Sequence, residues 1–156
     1  MRISLIQHGK TKDRFIEEGS ELYLKRLKHY VPFRTETIPD LKNTRGLGMQ
    51  DVMAREADQL LKKLKDSDHV VLLDERGSSF DSIAFAEHLN KLEGRVGQLV
   101  FVIGGPYGFH EQVYRRANEK ISLSPLTFSH QLVRVLFLEQ LYRAYTILKG
   151  EPYHHA

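Results

Sequence analysis

The sequence predicts an α/β domain of three layers, built on a mostly parallel sheet of roughly five or six strands. Short apolar segments alternate with longer stretches whose apolar residues recur at helical spacing. Two segments, Val70–Leu73 and Leu99–Ile103, are continuously apolar, as expected of strands buried on both faces of a parallel sheet. The chain of 156 residues is long enough for a substantial core, and we expect a single domain over residues 1–156.

Each predicted strand is a short apolar or alternating run bounded by turn residues. In chain order the predicted strands are Arg2–His8, Phe33–Ile38, His69–Asp74, Gln98–Ile103 and Lys120–Leu123. Ligands of such sheets bind at the carboxyl ends of the strands. The chain segments at Leu73, Gly104-Gly105 and Leu123-Ser124 are therefore the places to look for a site.

Helices are predicted between the strands, where a capping residue precedes apolar residues at helical spacing. Gly94 and Gly150 are expected to end the third and the last of them. The predicted helices extend from Asp13 to about Tyr30, from Met49 to Lys65, from Ser79 or Asp81 to Leu92, from Glu111 to Asn118 and from Ser129 to Lys149.

The last predicted helix carries more apolar surface than one docking face requires. At about 100° per residue, its apolar side chains cover an arc of roughly 200°. A helix that packs on one face of a sheet needs about half of that arc. The surplus favours burial against a second copy, and thus a homodimer, over coverage by the helix's own chain. These apolar positions are Val133, Leu136, Phe137, Leu138, Leu141, Ala144, Tyr145, Ile147 and Leu148.

Composition excludes several classes of protein. Without cysteine the chain has no disulfide, no thiolate metal site and no cysteine nucleophile. Its 8 histidines show no metal-ligand spacing, so no metal is expected. No apolar run has the length of a membrane span, and no signal-peptide core stands at the start. We therefore expect a cytoplasmic protein that does not engage a membrane.

The net charge of +3 is compatible with RNA binding and equally with an ordinary soluble enzyme. Basic residues recur in the first third of the chain, where they form either a solvated face or a grip on a phosphate backbone. They are Lys10, Lys12, Arg14, Lys25, Arg26, Lys28, Lys42 and Arg45.

The segment Gly104-Gly105-Pro106-Tyr107-Gly108 follows the most apolar predicted strand. Its glycine spacing matches neither the dinucleotide-binding fingerprint nor a P-loop. By itself it is compatible with a structural turn. Together with the other strand ends it is compatible with a pocket for an adenosine-like ligand, where glycines let backbone amides approach closely. Apolar walls would then come from Leu73, Leu123, Leu126 and Phe128.

Other residues with reactive or titratable side chains lie in sequence contexts that do not indicate one particular role. No G-x-S-x-G nucleophile elbow is present. The carboxylates Asp74 and Glu75 are expected in a solvated loop, with Glu75 paired to Arg76. His130 is compatible with a packed or capping histidine and with a position at the pocket. The segment after the last helix, Glu151–His155, is compatible with an inert tail or with one tucked into a site.

Four segments together carry a specific resemblance. They are residues 101–108 (FVIGGPYG), 126–134 (LTFSHQLVR), 139–144 (EQLYRA) and 151–154 (EPYH). Over essentially its whole length the chain resembles the family of large-subunit ribosomal RNA pseudouridine N3-methyltransferases, a branch of the SPOUT (trefoil-knot) methyltransferases.

The resemblance implies a C-terminal deep trefoil knot, a rare exception to the rule that chains are unknotted. It implies S-adenosylmethionine as the methyl donor and a homodimer as the working form. The implied substrate is a pseudouridine in helix 69 of the large-subunit RNA, within assembled ribosomes. The implied cofactor-binding residues are Leu73, Gly104, Gly105, Leu123, Ser124, Pro125, Leu126, Thr127 and Phe128.

The resemblance also suggests residues for catalysis. Tyr153 and His154 are candidates for positioning the base or for accepting the N3 proton, and His130 and Arg134 for binding substrate. Arg134 is also compatible with a structural ion-pair role. The chain departs from the family pattern at His155, where a lysine or arginine is expected. Two alternatives remain: a non-catalytic RNA-binding or ribosome-assembly protein that kept the fold, and a small hydrolase, which lacks a nucleophile motif.

Overall fold

A computed structural model of the chain describes residues 1–155. Five strands form one sheet in the order β2-β1-β4-β3-β5, and every neighbouring pair is parallel. The strands are β1 (Arg2–His8), β2 (Phe33–Ile38), β3 (His69–Ser79), β4 (Gln98–Ile103) and β5 (Glu119–Ser122). The predicted α/β class is confirmed, with five strands.

Five helices connect and follow the strands. They are α1 (Arg14–Leu27), α2 (Met49–Lys63), α3 (Ser82–Glu93), α4 (Glu111–Arg116) and α5 (Leu132–Leu148). One core joins the sheet to α1, α3 and α5, and a second core on the opposite face joins it to α2 and α4. The result is the expected three-layer arrangement. Within residues 1–155, no helix combines the length and apolarity that crossing a membrane requires.

The central strand β4 faces both cores through alternate side chains. Phe101 points into the first core, where its ring lies 4.7 Å from that of Phe137 on α5. Val100 and Val102 point into the second core. All five residues from Leu99 to Ile103 are buried, which explains why this strand is apolar throughout.

The largest departure from the predicted elements is in β3, which continues to Ser79 instead of ending at Asp74. The pairing with β5 shifts register between Leu73 and Ser78. Gly77 permits this, because a Cβ there would lie 2.5 Å from the backbone carbon of Lys120. Residues 74–79 are polar and lie largely at the surface, so their sequence does not show the apolar pattern of a buried strand. The extension was therefore not predicted.

Hydrogen bonds support two of the predicted helix caps, whereas Asp13 precedes α1 without a side-chain capping bond. Asp81, and not Ser79, caps α3 by accepting the N–H of Ala84 at 2.8 Å. The fifth helix begins at Leu132, later than predicted. Ser129 still stabilises its start, because its hydroxyl oxygen accepts the Leu132 N–H at 3.0 Å. Helices α1, α2 and α4 each end two or three residues earlier than predicted.

The wide apolar arc of α5 has an explanation within its own chain. The helix shares one layer with α1 and α3 and packs against both. Consequently no side chain between Leu132 and Ile147 is fully exposed. Coverage by the helix's own chain thus accounts for much of the arc, and the homodimer stays a prediction.

Arg134 is the largest fully buried side chain of the protein, at 1% exposure. Its guanidinium donates hydrogen bonds to the carbonyl oxygens of His8 at 2.6 Å and Gly9 at 2.9 Å, and to the Thr11 hydroxyl at 3.1 Å. A fourth, longer bond of 3.3 Å reaches the carbonyl of His130. Arg134 therefore ties the start of α5 to the carboxyl end of β1.

We expect Arg134→Met to lower the free energy of unfolding by about 3 kcal/mol or more, because it leaves several buried acceptors without a donor. Urea-induced unfolding measures the change. The matched control is Arg115→Gln, which removes an exposed arginine and is expected to stay within about 0.5 kcal/mol of the parent. Unchanged stability of Arg134→Met would contradict the structural role and favour a role in substrate binding.

Candidate functional site

A cleft of about 840 Å³ opens at the carboxyl edge of the sheet. Three chain segments form most of its wall: Leu73–Arg76 of β3, Ile103–Phe109 after β4, and the stretch from Leu123 to His130 after β5. Met49, Tyr114 and Val133 complete the lining. The cleft lies where a parallel sheet places its ligands, because the loops after neighbouring parallel strands meet at one edge.

Large apolar side chains line this cleft while exposed to solvent. Leu126 is 72% exposed, and Met49 and Tyr107 are each 52% exposed. Apolar side chains that stay exposed inside a cleft do not stabilise the fold, and such surfaces commonly bind ligands. The cleft therefore offers apolar contacts that the chain itself does not satisfy.

The glycine segment after β4 forms a tight turn. The N–H of Gly108 donates to the carbonyl of Gly105 at 3.0 Å, and Gly108 has a φ of +80°. The two leading glycines make room for protein atoms: a Cβ on Gly104 would lie 3.2 Å from the Phe109 ring, and one on Gly105 would lie 2.5 Å from a Glu56 carboxylate oxygen. Their small size thus serves packing behind the loop.

Short hydrogen bonds within the chain shape the loop after β5. The Ser122 hydroxyl donates to the carbonyl of Ser124 at 2.8 Å, and the Ser124 hydroxyl oxygen accepts the N–H of Leu126 at 3.0 Å. Thr127 donates its hydroxyl to the carboxylate of Glu75. These bonds fix the loop against β3 and leave the Leu126 side chain free to face the cleft.

The cleft is lined by two carboxylates, Asp74 and Glu75, and by the guanidinium of Arg76, which lies 3.7 Å from Asp74. Tyr114 donates its hydroxyl to Asp74, and Arg76 donates its backbone N–H to the same carboxylate at 2.9 Å. Burial by itself would raise the pKa of Asp74, but these hydrogen bonds outweigh it and lower that pKa. Asp74 is therefore ionised at neutral pH. The expected pairing of Glu75 with Arg76 is wrong, since Arg76 contacts Asp74 and Glu75 contacts Thr127.

His130 lies at the margin of the cleft, near the start of α5. Burial lowers the pKa of His130, and the positive charges of Arg134 and Lys12 lower it further. Its imidazole is therefore mostly neutral at pH 7, and one ring nitrogen is free to accept a hydrogen bond or a proton.

The C-terminal segment packs on the middle of α5, outside the residues that line the cleft. The Tyr153 hydroxyl donates to Glu139 at 3.0 Å, and Arg143 donates to Nδ1 of His154 at 3.0 Å. Burial, then contacts with Tyr23 and Glu139, raise the pKa of Tyr153, so its phenol stays protonated near neutral pH. Arg143 lies about 15 Å further along the helix than Val133, which lines the cleft, at about 1.5 Å of rise per residue.

Most of the predicted site residues meet in this cleft. It is lined by Leu73, Gly104, Gly105, Leu123, Ser124, Leu126, Thr127, Phe128 and His130. Four predicted residues lie outside the lining: Pro125 within the loop, Arg134 in the core, and Tyr153 and His154 on α5.

Sequence reasoning missed Met49 and Tyr114, and treated Asp74 as a loop carboxylate. The position of Asp74 at a predicted strand end was a usable signal. Nothing comparable marks the other two, which reach the cleft only through the packing of α2 and α4. Among residues 1–155, no group of three histidine or acidic side chains is arranged to hold a metal ion.

Comparison with known proteins gives a consistent result. The family model described as "Predicted SPOUT methyltransferase" matches residues 1–154. The chain belongs to the SPOUT methyltransferase family. It is 51% identical to proteins named ribosomal RNA large subunit methyltransferase H from Christiangramia forsetii and Parabacteroides distasonis, with 99% of each chain covered. It is also 51% identical to the protein of that name from Cytophaga hutchinsonii, covering 99% of this chain and all of the relative.

The family resemblance found in the sequence is thereby confirmed. A SPOUT family assignment is consistent with a trefoil-knot fold around the segments that line the cleft. In this SPOUT methyltransferase, the loops after β3, β4 and β5 converge as the family resemblance implies.

If the cleft holds the S-adenosylmethionine that the family resemblance implies, Gly105→Val is expected to weaken its binding by roughly tenfold or more, measured by calorimetry. The added Cβ meets the Glu56 carboxylate and would push the turn away from its place in the cleft. Because the obstacle is a side chain, a second change, Glu56→Ala, should restore much of the lost affinity. Unaltered affinity of Gly105→Val, or no rescue by Glu56→Ala, would show that the loop position does not govern binding.

Proposed function

We propose that this protein is an S-adenosylmethionine-dependent methyltransferase that methylates N3 of a pseudouridine in helix 69 of the large-subunit ribosomal RNA. We further propose that it is a single-domain cytoplasmic enzyme that acts on assembled ribosomes as a homodimer. The observation that carries the proposal is the cleft at the carboxyl edge of the sheet, with uncovered apolar side chains beside an ionised carboxylate. Relatives 51% identical over almost the whole chain are named for methylation of this RNA.

The residues of the cleft fit the proposed methyl donor. Leu73, Leu126 and Phe128 offer apolar contacts of the kind that an adenine ring requires. Asp74 and Glu75 offer negative charge to a sulfonium and an ammonium group. The donor supplies an electrophilic methyl group, and the protein's own part is to hold that group in line with the base.

We propose that the chain after β5 passes through the loop formed by the chain around β3 and β4, which would make the trefoil knot. Two contacts support this topology. Gly77 on the extended part of β3 lies against the backbone of Lys120, and Glu75 accepts the hydroxyl of Thr127. Such a knot would hold the three loops of the cleft together without any disulfide or metal.

The chemistry needs a proton acceptor. As N3 forms its bond to the methyl carbon, the bond from that carbon to sulfur breaks, and the imide proton of N3 passes to a base. Tyr153 is suited to positioning, because its protonated phenol donates to Glu139. His154 is the proposed acceptor, and neutral His130 at the cleft margin is the residue proposed to bind the base.

The position of the tail supports a site shared between two copies. Tyr153 and His154 pack on the middle of their own α5 and lie outside the cleft lining, whereas the cleft lies at the start of that helix. If they act in catalysis, they therefore act at the cleft of a second copy. In this proposal, the catalytic role of Tyr153 and His154 therefore requires the homodimer.

Purified protein is expected to transfer labelled methyl groups from S-adenosylmethionine to ribosomes that lack the modification. Mass spectrometry of the digested RNA should locate the label on N3 of a pseudouridine. A non-catalytic assembly protein would bind ribosomes without binding S-adenosylmethionine at micromolar concentration, which calorimetry distinguishes. No incorporation into free subunits or assembled ribosomes would contradict the proposed activity.

His154→Ala is expected to lower turnover by about a hundredfold or more, with unchanged affinity for S-adenosylmethionine, because it removes the proton acceptor. The adjacent exposed residue gives a matched control: His155→Ala should keep turnover within a few-fold of the parent.

Mixing His154→Ala subunits with Gly105→Val subunits tests the shared site. At a concentration of S-adenosylmethionine that does not saturate Gly105→Val, each variant alone should have low activity, and mixed dimers should recover activity at the sites that combine an intact cleft with an intact tail. Normal turnover of His154→Ala, or equal losses in both histidine variants, would exclude the proposed role.

A further inference from the structure

Two loops lie beside the cleft at the carboxyl edge of the sheet. One, residues 9–13, follows β1, and the other, residues 39–48, follows β2. Because β1 and β2 are neighbouring parallel strands, both loops emerge at the same edge as the cleft, on the side away from β5. They are outside the residues that line the cleft.

These loops carry basic side chains that the chain leaves unpaired. Lys10, Lys12, Lys42 and Arg45 are all exposed, and none forms an ion pair within residues 1–155. Exposed lysines elsewhere, such as Lys62 and Lys91, form no ion pair within residues 1–155 either, so what sets the four residues apart is their position beside the cleft. We call these four residues the basic shelf.

The backbone of the basic shelf is held in place. The side chain of Gln131, itself buried, accepts the N–H of Lys12 at 2.9 Å and donates to the carbonyl of Lys10 at 3.1 Å. The second loop contacts the first, since a Cβ on Gly9 would lie 2.5 Å from a carboxylate oxygen of Asp40. That contact turns Asp40 toward the first loop. Of the two acidic residues in these loops, Asp13 precedes α1 and is exposed.

The basic shelf is continuous with the cleft. Met49 follows the second loop directly and lines the cleft. Lys12 lies near enough to His130, at the cleft margin, for its charge to contribute to the lowered pKa of that histidine. A polyanion that reaches the cleft from this side would therefore cross the shelf.

We propose that the basic shelf binds the phosphate backbone of the RNA on one side of the target nucleotide and guides that nucleotide to the cleft. This inference rests on the proposed function for the identity of the RNA. Four unpaired cations on two braced loops suit a line of phosphates, whose binding releases counterions. Neither loop itself has an exposed large apolar side chain, but Phe15, two residues after the first loop, is 65% exposed, so binding to anionic lipid vesicles is measured as the competing outcome.

A charge-neutral variant tests the basic shelf: Lys10→Gln, Lys12→Gln, Lys42→Gln and Arg45→Gln together. The matched control changes three lysines and one arginine at the opposite edge of the sheet, namely Lys62→Gln, Lys65→Gln, Lys91→Gln and Arg95→Gln, all of them exposed. Both proteins have the same net charge. A fluorescently labelled RNA hairpin and intact unmodified ribosomes are the probes, titrated over a range of salt concentrations.

The shelf variant is expected to bind RNA roughly tenfold more weakly or worse. The slope of log affinity against log salt concentration should become less negative by about 3, because four cations no longer release counterions. It should raise KM for ribosomes and leave the affinity for S-adenosylmethionine unchanged. The control should keep the salt slope of the parent. An equal slope in parent and shelf variant, or an equal loss in the control, would overturn the proposal.

The two proposals can fail separately. If the parent protein methylates no ribosome, the proposed function fails, yet the salt slopes on the RNA hairpin still show whether the shelf binds phosphates. If methylation occurs with an unchanged KM in the shelf variant, the shelf proposal fails and the proposed function stands. Loss of binding to anionic phosphatidylglycerol vesicles, with RNA affinity retained, would assign the surface to a membrane instead.

Discussion

The buried guanidinium of Arg134 is the interaction on which the site most depends. It joins the first turn of α5 to the carbonyl groups that end β1, and these two elements lie far apart along the chain. A charge with 1% exposure is tolerated because carbonyl dipoles and a hydroxyl surround it. The same contact fixes His130 at the margin of the cleft and steadies the loop that carries Lys10 and Lys12. One cation in the core thus orders both the cleft and its basic border.

The all-parallel sheet supplies the second constraint, because it delivers every strand-end loop to a single edge. Loops after β3, β4 and β5 build the cleft, while loops after β1 and β2 form the basic shelf. Within this frame the glycines of the β4 turn serve packing, since Gly105 accommodates Glu56 and Gly104 accommodates Phe109. The ligand-facing surface comes instead from side chains such as Leu126 that are left uncovered.

The elements with strong local signals were predicted well. Buried strands β1 and β4 have the predicted bounds, because a glycine follows the last residue of each strand. The extension of β3 was missed, since polar residues there are held in the sheet only by their pairing with β5. The wide apolar arc of α5 correctly predicted that this helix is covered on more than one side. Its cause could not be assigned from sequence, because α1 and α3 flank the helix in space and not in the chain.

The sequence by itself determined the fold class and the family, and most of the site residues it predicted do line the cleft, because these depend on local apolar runs and on short motifs. The tertiary structure decided which side chains share a site. It placed Asp74 beside Tyr114, buried Arg134 against the end of β1, and packed Tyr153 and His154 on the middle of α5. Asp74 and Tyr114 are 40 residues apart and Arg134 and His8 are 126 apart, so only the folding of the sheet and its helices brings these groups within hydrogen-bond distance.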